Sequence, residues 1–418
     1  MTALNFPDSP SNGDTYQGYT YNSTKGTWTK SGSSATEPPV ILTEPPTATQ
    51  NLAIDGSTKV VTMTAQDPEG FGITYGIAYA TANNARPTQL SADTTINQST
   101  GAYTFTPSTT QAHAGTFKAR LSVTDGVSYT TRLVNFALNF NMPTTYLIVA
   151  GGGGGGAGVS AGGGGAGGLL YSTSGEMPLD TALSVVVGAG GAGSVGNGDG
   201  TAGSDSTISG TGFTTLTAVG GGKGGGMRSG TPTATELAGG SGGGGSGYTS
   251  TGTVTGPGGN ATSGQGNPGG TGRYLGGPGY GGGGGGAGEY GGNHDASSDV
   301  SKGGDGLQYS ISGTANYYAG GGGGGGYNAA GKAGGQGGGG QGGYRYGGGG
   351  TASNATANTG GGGGGAGDGG TGGAGGSGIV IIRAANTYSA SGSGFTETTS
   401  GSDKIWTFTG NGTITFSS

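Results

Sequence analysis

The chain has no cysteine in its 418 residues, which excludes both disulfide staples and thiolate metal sites. Charge is scarce as well. Asp, Glu, Lys and Arg together make up 9% of the sequence, with a formal net charge of −6. That supply does not furnish the basic face that nucleic acid requires, so no nucleic-acid partner is expected. There are two histidines, His113 and His294. His294 has Asp295 and Ser297 beside it, but residues this close in sequence seldom adopt hydrolytic-triad geometry, and no enzymatic activity is expected. No stretch approaches the ~20 apolar residues of a membrane-spanning helix. The opening residues lack the basic-then-apolar pattern of a secretory signal, so neither membrane insertion nor signal-directed export is expected.

Glycine is what the sequence has in excess. There are 113 glycines, and most lie between Gly151 and Gly378 in nearly pure runs such as 151–156, 162–165, 242–245, 281–286, 320–326, 337–340 and 360–365. Glycine inside a helix or strand is unfavourable by roughly 0.5–1 kcal/mol relative to alanine, which excludes an ordinary helical or sheet domain. A flexible linker is the usual reading of Gly/Ser-rich chain, but the field also carries strand-like pieces at 183–187, 213–219 and 379–382. Collagen is excluded because the runs have no Gly-X-Y period. The remaining candidate is the extended left-handed helix with three residues per turn and no internal hydrogen bonds. Its backbone groups must find partners elsewhere, and neighbouring glycine helices can supply them at a net ~0.5–1.5 kcal/mol per bond.

The expected fold is therefore mainly β plus a polyglycine II helix bundle. The flanking strands 146–149 and 379–382 should pair or neighbour at its base, with loops at the far face. A C-terminal hairpin over 384–418 should turn at Gly410, Asn411 and Gly412. Strand 146–150 followed by glycines matches the spacing of a dinucleotide fingerprint, but no helix follows to receive a pyrophosphate. Residues 303–308 approach a calcium-binding nonapeptide repeat, except that Gln308 replaces its Asp. No cofactor is expected. Arg-Gly-Gly boxes are missing, and Arg273, Lys332 and Arg345 read as isolated cations.

Outside the glycine field, residues 1–30 read as a small β unit with tyrosines and Trp28 on its strands and a turn at Lys25 and Gly26. A unit this small buries little on its own, so it reads as an attachment module that docks on something larger. Residues 31–47, with Thr-Glu-Pro-Pro at 36–39 and again at 43–46, read as a semi-rigid spacer. Residues 48–142 alternate as an immunoglobulin-like sandwich does, with one strand expected over 60–65. The turn residues at 65–70, 100–107 and 123–126 resemble cadherin-like modules. That resemblance implies calcium candidates at Asp67, Glu69 and Asp125. Read from the residues alone these are turn formers, and three carboxylates fall short of the six or more oxygens calcium takes, so no metal is expected.

The domain over 143–383 interrupts its glycine runs with short segments rich in tyrosine and hydroxyl residues. Tyrosine gives large contact area at low entropic cost, so these tyrosines either cap the glycine helices or contact a partner. For the segments 289–318 and 344–346 recognition is the expectation, and the candidate receptor-binding residues are Tyr290, His294, Asp295, Asp299, Tyr309, Tyr317, Tyr318, Tyr327, Tyr344, Arg345 and Tyr346. This alternation of glycine runs and short loops resembles the receptor-binding adhesins at the tips of T-even-type phage tail fibres. Residues 4–16 with Trp28, and 111–117, are similar to modules of marine cyanophage structural proteins. The resemblance implies a virion-surface adhesin that attaches to other virion proteins through residues 1–30, is multimeric on the particle, and meets a protein or glycan receptor on a host cell. The alternatives are a purely structural virion protein and a cell-surface matrix protein.

Overall fold

The computed structural model describes residues 6–24, 26–30, 37–249, 252–253, 255–273, 279–294, 301–327, 330–345 and 350–417. Its contacts divide the chain into two compact units, residues 1–140 and 141–418. Among the described residues there is no α-helix.

The first unit contains β1 (Thr15–Tyr16), β2 (Tyr19–Asn22), β3 (Thr27–Lys30), β4 (Val40–Thr43), β5 (Gln50–Leu52), β6 (Lys59–Thr62), β7 (Thr64–Gln66), β8 (Thr74–Tyr79), β9 (Thr95–Asn97), β10 (Ala102–Phe105), β11 (Gly115–Thr124) and β12 (Ser128–Leu138). One sheet runs β1-β2-β3-β12-β11-β8, with β5 parallel to β12; β6-β10-β9 and β4-β7 form smaller sheets. Inward positions alternate along β10, β11 and β12. They place Phe105 4.3 Å from Phe136, which in turn stacks on Phe117 at 4.9 Å.

The opening residues are stitched into this sandwich. β3 pairs with β12 from Thr27 to Thr29, and Phe6 stacks on Trp28 at 4.7 Å with Tyr129 of β12 at 5.5 Å. Burial, followed by the hydrogen bond that the Tyr19 hydroxyl gives to Tyr129, pushes the Tyr19 phenol up to about 12. The aromatic face of this unit is thus covered by the chain's own sheet. The stretch read as a spacer also lies on the sandwich from residue 37 onward. β4 pairs with β7, the Pro39 carbonyl accepts from Thr130 Oγ1 at 2.7 Å, and Glu44 takes two bonds from Arg132 at 2.7 Å each. The single strand expected over 60–65 is broken at the fully buried Met63. Its two halves, β6 and β7, pair with different partners.

The second unit contains β13 (Asn141–Val149), β14 (Leu169–Pro178), β15 (Leu183–Val186), β16 (Ser206–Gly210), β17 (Phe213–Ala218), the short pieces β18 (Tyr248–Thr249), β19 (Gly252–Thr253), β20 (Thr255–Gly256), β21 (Gly272–Arg273), β22 (Leu307–Tyr309) and β23 (Asn316–Tyr318), then β24 (Ile379–Ala385), β25 (Ser389–Ser400) and β26 (Asp403–Ser417). Its main sheet has the order β14-β13-β24-β26-β15-β16-β17, with β25 on the other edge of β26. As expected, the two flanks of the glycine field pair, with Val149 opposite Ile379 and Tyr146 opposite Ile382. Both faces of these strands are covered, which explains their unbroken apolar runs. Leu147, Val149, Ile379 and Ile381 pack with Ile311, Tyr318 and Ile405 on one face. Trp406, Phe408 and Phe416 are fully buried.

The C-terminal turn differs from expectation. β26 runs straight through Gly410, Asn411 and Gly412, and the turn lies at Gly401 and Ser402 between β25 and β26. Gly401 has φ of 63°, the left-handed conformation that hairpin turns demand. β26 pairs with β24 over residues 403–408 and with β15 over 412–414. The two glycines form the corner between those partners, and Asn411 Oδ1 accepts from Val187 N at 2.9 Å.

Three strands of the main sheet lead into glycine runs and three receive them, at 150, 188, 219 and at 168, 205, 378. Run 151–156 shows the packing. Gly151 and Gly154 donate to Ser204 and Thr201, Gly152 and Gly155 to Gly376 and Gly373, and Gly153 and Gly156 to Gly165 and Gly162, at 2.9–3.0 Å. Their carbonyls accept, in the same order of three, from Gly221 and Gly224, from Gly191 and Ser194, and from Gly363 and Ala366. A period of three with neighbours on six sides is the signature of a polyglycine II bundle. The run donates to three antiparallel neighbours and accepts from three parallel ones. A Cβ at Gly152 or Gly155 would overlap the carbonyl of Gly361 or Gly364. Close approach, more than conformational freedom, is what requires glycine here.

Candidate functional site

Because successive runs reverse, their connections alternate between two ends of the bundle, one against the sheet and one far from it. A seven-residue run such as 320–326 separates them by about 20 Å at the rise of this helix.

The far end gathers aromatic and cationic side chains. The backbone of Tyr280 bridges to Arg273 and Gly326, and Gly326 bridges to Tyr344. Lys332 Nζ lies over the Tyr280 ring at 4.6 Å from its centre. The ring of His294 is 5.0 Å from Tyr280, and the His294 backbone N–H is held by the Thr271 carbonyl at 2.9 Å. Beside them the Arg345 guanidinium lies over Tyr327 at 4.7 Å while its Nε meets Asp368 at 3.1 Å. Such stacking holds long cations in one orientation and contributes about 0.5–1 kcal/mol at exposed positions. Asp199, also at this end, meets Lys223 at 3.1 Å and Arg228 at 3.5 Å. Arg228 continues to Glu236 at 2.8 Å, and this hydrogen bond, with those from Thr233, lowers the Glu236 carboxyl to about 2.

The candidate receptor residues divide between the ends. His294, Tyr327, Tyr344 and Arg345 are at the far end, and the first of these is buried. Tyr290, Tyr309, Tyr317 and Tyr318 are at the sheet end. Tyr290 follows the tight turn in which Gly286 N bonds Glu289 O at 2.9 Å and is 70% exposed, Tyr317 is 40% exposed, and Tyr318 is buried in the core. Tyr309 meets the Tyr171 ring at 4.1 Å in a tilted contact, and burial, then the neighbouring Tyr171, raises its phenol. Asp295, Asp299 and Tyr346 lie outside the described residues. In the first unit Asp67 Oδ1 accepts from the N–H groups of Glu69 and Phe71, and Asp125 Oδ1 from those of Val127 and Ser128. These carboxylates hold turns. Among the described residues no group of three or more His, Asp or Glu is arranged to hold a metal.

The sequence reading took Arg345 for a recognition residue as well as an isolated cation, treated Lys332 and Arg273 as isolated only, and passed over Asp368. In a field almost without side chains, Arg273, Lys332, Arg345 and Asp368 fall on run ends or connections, whereas Lys223 sits inside run 220–226. Their position between glycines is the signal that marks them.

A family model described as a glycine-rich domain matches residues 131–385, more than half of the chain, from within β12 to the last residue of β24. The chain belongs to the glycine-rich domain family. The matched part of this glycine-rich domain protein holds every polyglycine run and both ends of the bundle, whereas β25 and β26 lie beyond it. No curated protein and no solved structure matches the chain.

Proposed function

We propose that this glycine-rich domain protein is a virion fibre adhesin that meets a host-surface receptor with the far end of its polyglycine bundle. The observation that carries the reading is the convergence there of Tyr280, Lys332, Tyr327, Arg345 and Asp368 on run ends held by the bundle's backbone bonds. Rigid aromatic anchors with oriented polar groups are the makings of a recognition surface. The particle presents several copies, which raises avidity without new contacts. A structural virion role is the second reading, favoured by the twelve-residue β25, which pairs only with β26 among the described residues and offers an edge for strand addition.

The test compares the full chain with the triple variant Tyr327→Ala, Lys332→Ala, Arg345→Ala and with a sheet-end control, Tyr290→Ala with Tyr317→Ala, in binding to host cells. The expected result is a loss of at least about tenfold in affinity for the far-end variant alone. Equal binding by all three, or binding by none to any host the parent particle infects, would leave the structural reading.

A further inference from the structure

At the sheet end, on the flank of the bundle, a cleft of about 340 Å³ opens between β14, the 264–267 turn and the β22-β23 hairpin. Its wall is aromatic and apolar. The Tyr171 and Tyr309 rings touch at 4.1 Å between centres, tilted by 31°, Tyr171 and Leu307 remain 38% and 37% exposed, and Leu169 forms the floor. The rim is carboxamide. Gln265 is fixed by Val219 N on its Oε1 at 2.8 Å and by its Nε2 bond to Thr217 O at 3.0 Å. Asn267 spends both amide hydrogens on the carbonyls of Gly286 and Ala287, each at 3.0 Å. Its Oδ1 makes no hydrogen bond among the described residues. No charged side chain lines the cleft.

We propose that this cleft is a binding site for a neutral saccharide. An exposed tyrosine face receives the C–H side of a pyranose ring, an apolar surface bounded by hydroxyls. Those hydroxyls find an acceptor in Asn267 Oδ1 and donor-acceptor groups in the two phenols. The amides are already oriented by backbone bonds, so little ordering is left for binding to impose. The uncharged lining disfavours an anionic sugar, which would leave its solvation without gaining a partner. The volume falls at the lower end of the ligand-cleft range of about 300–1,000 Å³, which suits a short stretch of a glycan chain. The site is separate from the far-end surface and is independent of the receptor assignment made for it.

The experiment uses the full chain and saturation-transfer NMR with maltotriose, chitotriose and mannotriose as neutral probes and sialyllactose as the anionic one. At least one neutral trisaccharide binds, Tyr171→Ala weakens it by about tenfold or more, and Tyr171→Phe, which keeps the ring, retains most of the affinity. Leu307→Asn, a change at an exposed position, weakens binding by a second route in case Tyr171→Ala disturbs β14. The far-end triple variant binds the sugar as the parent does. No neutral probe bound at about 10 mM, tighter binding of sialyllactose, or affinity unchanged in both Tyr171→Ala and Leu307→Asn would overturn the proposal.

Discussion

Gly155 has no room for a methyl group. Its backbone bonds to Gly373 at 2.9 Å, and the position a Cβ would take is filled by the Gly364 carbonyl. Alanine there must push two runs apart and break bonds whose groups then lie buried. Gly155→Ala is expected to destabilise the second unit by about 3 kcal/mol or more, from overpacking and lost bonds together. Gly410→Ala, where a Cβ meets nothing within 4 Å, should stay within about 0.5 kcal/mol of the parent. Thermal unfolding of the two variants decides it, and equal melting temperatures would mean that the runs are not in contact as described. At this scale the sequence was informative about type and silent about place. The purity of the runs implies contact, but nothing in Gly151 to Gly156 says which of six neighbours each residue faces.

At the scale of elements, strands declared themselves where burial was two-sided. Residues 379–382 and 146–149 carry unbroken apolar runs because both faces of the sheet are covered, and their pairing was legible from position alone. β25 was not legible. Its sequence, mostly Ser, Thr and Gly, has exposed positions on both faces and owes its conformation to β26. Gly410, Asn411 and Gly412 have the local chemistry of a turn, but pairing on both sides of them overrides it, with Thr407 opposite Thr396 and Thr413 opposite Ser393. The change of partner along β26 leans on the Asn411 side chain. Asn411→Ala is expected to lose about 1 kcal/mol and lower the melting temperature by about 2–4 °C. An unchanged melting temperature would show that the corner holds without that bond. The candidate site was half legible for a related reason. Tyrosines mark the interruptions, but only the alternation of run direction assigns Tyr327 and Arg345 to one end and Tyr309 and Tyr317 to the other.

For the whole molecule, the glycine field is the most rigid reading of a composition usually associated with flexibility. Its amides are bonded in three directions within a compact unit, so they should open only with that unit. Hydrogen exchange followed by mass spectrometry should find peptides from 151–168 and 320–326 protected to the same degree as β24. Exchange within seconds, the behaviour of a linker, would rule the bundle out. Charges gather at run ends and connections, where the far-end cluster and the Arg228–Glu236 pair sit, while Lys223 reaches Asp199 from inside run 220–226.

A frame whose interior is backbone has a bearing on descent. In most domains a change in a surface segment reaches the core through side chains that must repack, and variation is limited by that coupling. Here the connections at the far end are tied to rods with almost no side chains to disturb, so their length and residues are free to diverge while the chassis keeps its register. Lineages carrying this domain should accumulate substitutions, insertions and deletions at the far-end connection 195–197 much faster than in the runs that hold it.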